Sequence, residues 1–417
     1  MFDDPVFNFR FRFAAYRFHC ISEAFLALSV VPFKAVAPVK LAAYQELAPQ
    51  ELAPPQSGGL DIHGDDPAQH RQVLDKLDEL GLRPYLAPFE HGRGFALSAD
   101  AAHALVDDGD TLNLCRDLGL DTAANMVHLE REIVLALLAA PRTLRFASAA
   151  EFLAAVAIRR NIVVAARATQ LAFGTAEADR PASHWTYDED RGFTVLPGRP
   201  LIEALTLATQ PGAGDGRMYA FSCYRATEYV MLLGIARELE RTNPPLLAAL
   251  QRQWETSAIQ SGAFHDVFLV EYGSFDAPLP PRWYVPGDRV WFRNPDALSS
   301  DASGYEGSWV IYLGNGLFSN FWQRDRPYSL VAKCLEIYHW RHGTYVDAAG
   351  DLRMNEAIVA AHVAETAANP AALASVVACM SRLRDMRGVY ADGGCIDVSR
   401  EYSRPVCPGT TGIVLPG

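Results

Sequence analysis

Residues 218–240 read MYAFSCYRATEYVMLLGIARELE, and this stretch decides the fold. An aromatic, extended run from Tyr219 to Phe221 turns into a helix at a lone cysteine, Cys223. Ser222 is a helix-capping residue type, because its hydroxyl can accept a bond from an early backbone N–H. Cys223 then falls in the first turn. There the unpaired N–H groups and the helix dipole favour a thiolate, so a lowered thiol pKa is expected. Ala226, Val230, Leu233 and Leu239 continue the face that Cys223 begins, at helical steps, so the sulfur is expected to point inward. Two readings stay open: a nucleophile presented at a helix start, or a small buried thiol that only packs.

The bulk composition sets the limits around that stretch. The chain has 417 residues, half of them apolar and 21% charged, which is the make-up of a globular protein of two or three domains. A formal net charge of -12 argues against nucleic acid as a partner. No apolar run is long enough to span a bilayer, so no membrane partner is expected. The first residues pair arginines with an apolar stretch, like a secretory leader, but Asp3, Asp4 and Glu23 interrupt it. Both a cytoplasmic and an exported location remain open. No C-x-x-C pair occurs, so a structural zinc site is not expected. Cys379, Cys395 and Cys407 cluster late in the chain, either as one disulfide and a thiol or as three buried thiols.

Upstream, ELAPQELAPPQSGG (46–59) reads as a linker, so residues 1–60 are assigned to a leader and linker. Residues 61–143 are expected to be mainly helical, with DDPAQHRQVLDKLDELGL and MVHLEREIVLALLAAP the clearest cases. Residues 144–345 carry the chemistry. They open on a long helix, SAAEFLAAVAIRRNIVVAARA, followed by a hairpin, SHWTYDEDRGFTVL. Downstream of the Cys223 helix come three strand-like runs: DVFLVEYG, DRVWFRNP and SWVIYLGNGLFSNFW. The turn residues between them fit an antiparallel sheet. Helices first and strands after give an α+β fold. Residues 346–417 form an extension: a helix at 369–386, then an irregular apolar tail that packs back on the core or covers the cleft.

Five segments, AEFLAAVAIRRNIVVAARA, HWTYDEDRGF, MYAFSCYRATEYVMLLGIA, FHDVFLVEYG and PGDRVWFRNPDA…EGSWVIYLGNGLF, follow one another with short spacers. In this order, over about residues 148–330, the chain resembles the bacterial transglutaminases of the spore-coat type, the protein-glutamine gamma-glutamyltransferases. That resemblance implies a papain-like core related to NlpC/P60 domains. It implies transfer of a glutamine acyl group to a lysine amine through a cysteine thioester, with release of ammonia and without calcium or any other cofactor. Cys223 falls on the nucleophile, and protein glutamine and lysine side chains would be the partners.

The family's proton-handling residues are not all present. Its glutamate directly before the cysteine is Ser222 here, its second glutamate aligns with Ser308, and a nearby histidine aligns with Asn320. Glu306, two residues before Ser308, is the first candidate to take over as acid–base group, since the two share a strand face. His265 and Asp266 are next. Trp185, Tyr219, Trp309 and Trp322 read as core or groove-wall aromatics. Three functional readings follow: a transglutaminase, a glutamine deamidase or amide hydrolase (a toxin or effector) using the same thioester, and a pseudo-enzyme kept as a binding or structural module.

Overall fold

The computed structural model describes residues 58–63, 66–87, 94–174, 178–214, 216–385 and 393–416. All but the last three residues of the expected leader and linker, Cys20 included, lie outside the described residues. Strand β1 (Leu60–Ile62) pairs antiparallel with β2 (Gly94–Phe95) and parallel with β3 (Leu144–Phe146). Helix α1 (Pro67–Glu79) starts at Asp66, whose carboxylate accepts the Ala68 N–H at 2.9 Å. Pro67 takes the first helical position, where a missing N–H costs nothing. Helix α2 (Met126–Leu138) is capped in the same way by Asn125.

Helix α3 (Ala149–Ala168), capped by Ser148, is buried on two faces, which explains its long apolar runs. Phe152, Val156 and Val163 pack with Leu77 of α1 and Ile133 and Leu137 of α2. Residues 61–143, expected as a helical region of their own, therefore share one core with α3 and with Trp283 and Val285. The opposite face, with Ile158, Ile162 and Ala165, belongs to a second core. Strand β4 (Ala172–Phe173) follows, then the expected hairpin at 185–195, then α4 (Leu201–Thr209). Strand β5 (Ala220–Phe221) pairs parallel with β4 and leads directly into α5 (Cys223–Thr242). Helices α3 and α5 approach closely at Gly234. A Cβ there would sit 2.4 Å from Ile162 Cγ1 and 2.9 Å from its backbone nitrogen.

Helix α6 (Pro244–Thr256) and helix α7 (Ser261–Phe268) complete this layer. The run at 266–273, expected as one strand, divides: residues to Phe268 finish α7 and only Leu269–Tyr272 forms β6. The reason is spacing. Phe264 and Phe268, four apart, are both fully buried, so this stretch follows a helical and not an alternating period.

The main sheet has six strands. Strands β7 (Arg289–Arg293), β8 (Gly307–Gly314), β9 (Leu317–Phe318) and β10 (Tyr328–Ser329) form its antiparallel meander; β7 to β9 fall on strand-like runs expected from the sequence, and β10 lies beyond them. Helices α8 (Leu330–Gly343), α9 (Glu356–Ala368) and α10 (Pro370–Met380) cover the face that carries Val290, Phe292, Val310 and Tyr312. Ile311 and Leu313 point the other way, into the core shared with α5. The tail is not irregular throughout: Arg400–Ser403 forms β11, inserted between β6 and β7. The order across the sheet is β10-β9-β8-β7-β11-β6. Its sequence, REYS, hides a central strand because charge pairing replaces apolar burial. Arg289 Nη1 donates to Glu401 Oε2 at 2.7 Å, and Arg400 lies 4.1 Å over the Tyr284 ring.

A second buried ion pair fixes the sheet to α3. Arg159 Nη1 donates to Asp288 Oδ1 at 2.7 Å, and Asp288 Oδ2 accepts the Val285 N–H at 2.7 Å. Gly287 between them has φ +90°, and a Cβ there would lie 2.8 Å from Arg159 Cα, so the Pro-Gly-Asp turn needs its glycine. The six described cysteines are free thiols. Cys395 adjoins Cys334 at 3.8 Å between sulfurs, not Cys379 or Cys407. Among the described residues no single helix is long and apolar enough to cross a membrane; α9 and α10 reach that measure only as a pair bent by 113°.

Candidate active site

The local structure around Cys223 follows from its neighbours. Ser222 caps α5 as expected, its hydroxyl accepting the Arg225 N–H at 3.3 Å. Cys223 heads the helix and is half-buried. The strand opposite supplies its partner by simple alternation. Ile311 bonds Ser319 through both its N–H and its carbonyl, at 2.9 Å each, on the β9 side of β8. Tyr312 turns its own pair to Asp288 and Gly287, on the β7 side. Trp309, two residues from Ile311, therefore directs its N–H to the β9 side. There β9 no longer runs alongside, because its pairing with β8 is confined to Tyr312 and Gly314. The Trp309 backbone N–H is near enough to the Cys223 thiol to favour its charged form.

Burial pushes the Cys223 thiol above its ordinary value, and the nearby negative charge of Glu306 adds to this. The backbone N–H groups of Trp309 and Tyr224 and the positive charge of Lys333 pull it down. The net shift is upward, which corrects the lowering expected from the helix start alone. Loss of water around the sulfur outweighs the pull of the helix end, so the free site rests as a thiol.

The candidate residues separate into those beside the sulfur and those that are not. Glu306 precedes β8, is exposed, and is close enough to act electrostatically on Cys223. Ser308 does not share that exposure: it is buried, paired with Phe292, and has the strand parity of Val310 and Tyr312. The side chain of Asn320 is spent on its own turn. Its Nδ2 donates to the Arg326 carbonyl at 3.0 Å, and its Oδ1 accepts the Gln323 N–H at 3.1 Å. His265 and Asp266 lie on α7, with His265 Nε2 3.5 Å from Glu401 Oε1. They belong to a chain that reaches the sulfur only indirectly. Glu401 holds Arg289, whose guanidinium lies 4.0 Å over Trp309 and 4.3 Å over Tyr224, the two residues whose amides approach the thiol. Arg289 is fixed further by donating from Nε to Thr227 Oγ1 at 2.8 Å.

Lys333 escaped the sequence reading. It is 3% exposed on α8, with Nζ 2.6 Å from Glu336 Oε2 and 3.6 Å over the Tyr328 ring. The signal was its setting, a lysine inside the apolar run LVAKCLEIY with glutamate three residues on. Of the aromatics, Trp185 and Tyr219 are core residues, whereas Trp322 is half-buried. It meets the exposed Phe173 at 5.2 Å, and Phe173 meets Tyr305 at 6.5 Å. Phe173 lies on the strand beside the one that leads into Cys223, and Tyr305 directly precedes Glu306. A cavity of about 250 Å³ between α3 and the β11 region is lined by Ile158, Arg159, Tyr402 and Val406 among others, and by none of the candidate site residues.

The arrangement can support nucleophilic acyl transfer. It has a thiol at a helix start, backbone N–H groups beside it, a buried cation, and a solvent-facing carboxylate within electrostatic reach. The family model described as protein-glutamine gamma-glutamyltransferase matches residues 114–378. Among solved structures, a transglutaminase from Geobacillus stearothermophilus without its C-terminal extension is similar at 16% identity and a TM-score of 0.34. That match covers 61% of this chain and 93% of the other. No curated protein matches the chain.

Proposed function

Since the chain belongs to the protein-glutamine gamma-glutamyltransferase family, we infer that Cys223 is its nucleophile and that the reaction is glutamine-to-lysine acyl transfer. What supports this reading is that Cys223 heads α5, with the Trp309 and Tyr224 N–H groups and the charges of Glu306 and Lys333 all acting on its thiol. The thiol attacks the glutamine carboxamide carbon. A C–S bond forms, the C–N bond breaks, and ammonia leaves with the thiol proton. A lysine amine then attacks the thioester, giving the new amide and returning the proton to sulfur.

Because burial keeps the free thiol protonated, the proton must leave as substrate binds. Glu306 is the group we assign to take it and to pass it on to ammonia. The Lys333 charge and the Trp309 and Tyr224 N–H groups favour the thiolate and the oxyanion that follow. Ser222 acts through the helix cap and not as a base, because a hydroxyl is too weak a base near neutral pH. The ledge of Phe173, Tyr305 and Trp322 offers apolar surface for the segment that carries the reactive side chain.

The test uses a labelled primary amine with a glutamine-rich acceptor protein, and follows ammonia in parallel. Incorporation with ammonia release supports transfer. Ammonia without incorporation means that water takes the amine's place and the protein is a deamidase. Cys223→Ala should abolish both signals while the circular dichroism spectrum is kept. Activity surviving in Cys223→Ala overturns the assignment.

A further inference from the structure

Helices α8 and α9 bring three histidines together at the end of α8 remote from Lys333. His339 and His342 are one turn apart on α8, and His362 comes from α9. The approach is enforced by Gly343. A Cβ there would fall 2.5 Å from Val359 Cγ2 and 2.8 Å from the Asn355 carbonyl oxygen, and the Asn355 N–H donates to the Gly343 carbonyl at 2.8 Å. The ring centroids are 5.1 Å apart for His339 and His342, 5.7 Å for His339 and His362, and 4.6 Å for His342 and His362. One ring nitrogen from each lies within 4.8 Å of the others.

Packing alone does not account for the arrangement. Apolar rings would fill the same volume without gathering polar nitrogens face to face. The Nδ1 atoms of His339 and His342 are 2.9 Å apart. A tetrahedral ion with metal–nitrogen bonds of about 2.0–2.1 Å requires ligand nitrogens about 3.3 Å apart. The exposed His342 can supply that small adjustment. His339 is nearly fully buried and its Nε2 is 2.8 Å from Thr366 Oγ1. With Nε2–H given to that hydroxyl, the Nδ1 lone pair is left for the cluster, the outer partner that metal-binding imidazoles commonly have. Glu365 stands 3.7 Å from His362 Nδ1. The exposed His342 and the half-buried His362 leave one side open to solvent.

We propose that His339, His342 and His362 form a binding site for a divalent transition-metal ion of the zinc type, with the remaining coordination position open to water. Three neutral imidazoles and no carboxylate in the ligand set select zinc, copper or nickel over calcium or magnesium. The ion would pin α9 to the C-terminal end of α8. The site is separate from Cys223 and does not depend on the assignment made there.

The experiment is a titration of the full chain carrying Cys223→Ser with Co²⁺, read by visible absorption, and with Zn²⁺, read by calorimetry. One ion per chain is expected, with a cobalt spectrum that lacks the intense near-ultraviolet band of a thiolate ligand. His342→Ala and His362→Ala, both at partly exposed positions and checked for folding by circular dichroism, should each weaken zinc binding by about a hundredfold. His339 is left in place because its burial would confound the result. Zinc affinity unchanged in both histidine variants overturns the proposal. So does a thiolate band that persists in them, or the absence of saturable binding below about 100 μM metal.

Discussion

Removing either member of the Arg289–Glu401 pair should weaken both the sheet and the reactivity of the distant thiol. Arg289 is 1% exposed and its main counter-charge is the Glu401 carboxylate, at 2.7 Å. Taking away one partner of such a pair typically costs about 3–5 kcal/mol, since the other charge stays buried without compensation. Here Arg289 retains the Thr227 hydroxyl and the faces of Trp309 and Tyr224. Glu401→Leu should therefore cost about 3 kcal/mol, the lower end. Arg289→Met should cost about 2–3 kcal/mol, because Glu401 keeps some solvent exposure and has His265 at 3.5 Å. The double variant leaves no orphaned charge, so it should be more stable than the sum of the single losses predicts, by about 2 kcal/mol. Urea unfolding near neutral pH supplies all four corners of the cycle. Alkylation of Cys223 in the folded proteins supplies the functional readout, and it should change with the setting of Trp309 and Tyr224. Additivity to within about 0.5 kcal/mol would refute the reasoning, as would a Glu401→Leu loss under about 1 kcal/mol.

Glu306→Gln should lower amine incorporation by about a hundredfold, the usual worth of a positioned acid–base group, while speeding alkylation of Cys223 by removing a negative neighbour. Unchanged turnover would refute that role. A chain beginning at Pro141 should be insoluble: it strips β1 from β3 and bares Phe152, Val156 and Val163, each worth about 1.5–3 kcal/mol of burial. A soluble fragment with a labelled Cys223 would show otherwise. Burial holds the Glu132 carboxyl above its ordinary 4.5, so its contribution is fully present below that pH and is lost as pH rises through the folded value. Glu132→Gln should therefore narrow, relative to the parent, the fall in melting temperature as pH rises above 4.5. Equal falls in the two proteins would sink this account.

Much of this architecture was legible in the residues. Ser222 announced its helix because capping is local, and the hairpin at 185–195 announced itself through alternation and turn residues. The sequence also placed Cys223 at the start of its helix. What it concealed was set by contacts distant in the chain. Strand β11 was hidden in a tail read as irregular, because Arg400 and Glu401 are satisfied by Tyr284 and Arg289, far away in sequence. Lys333 is buried only because α8 folds over the sheet. The thiol pKa was expected to fall because the helix start is readable from sequence, whereas the loss of water around the sulfur is set only once the chain has folded around it.

The insertion of β11 between β6 and β7 carries a consequence for biosynthesis. A ribosome finishes β6 and β7 long before it delivers residues 400–403, so a nascent chain holds two strands that cannot yet be joined. Until the late strand arrives, Arg289 has no Glu401, and the platform of Trp309 and Tyr224 beside Cys223 lacks its support. Such long-range closure is slow compared with local helix formation. Maturation of the thiol is in this way tied to delivery of a late stretch of polypeptide, and a protease that clips that stretch would silence the site without touching it.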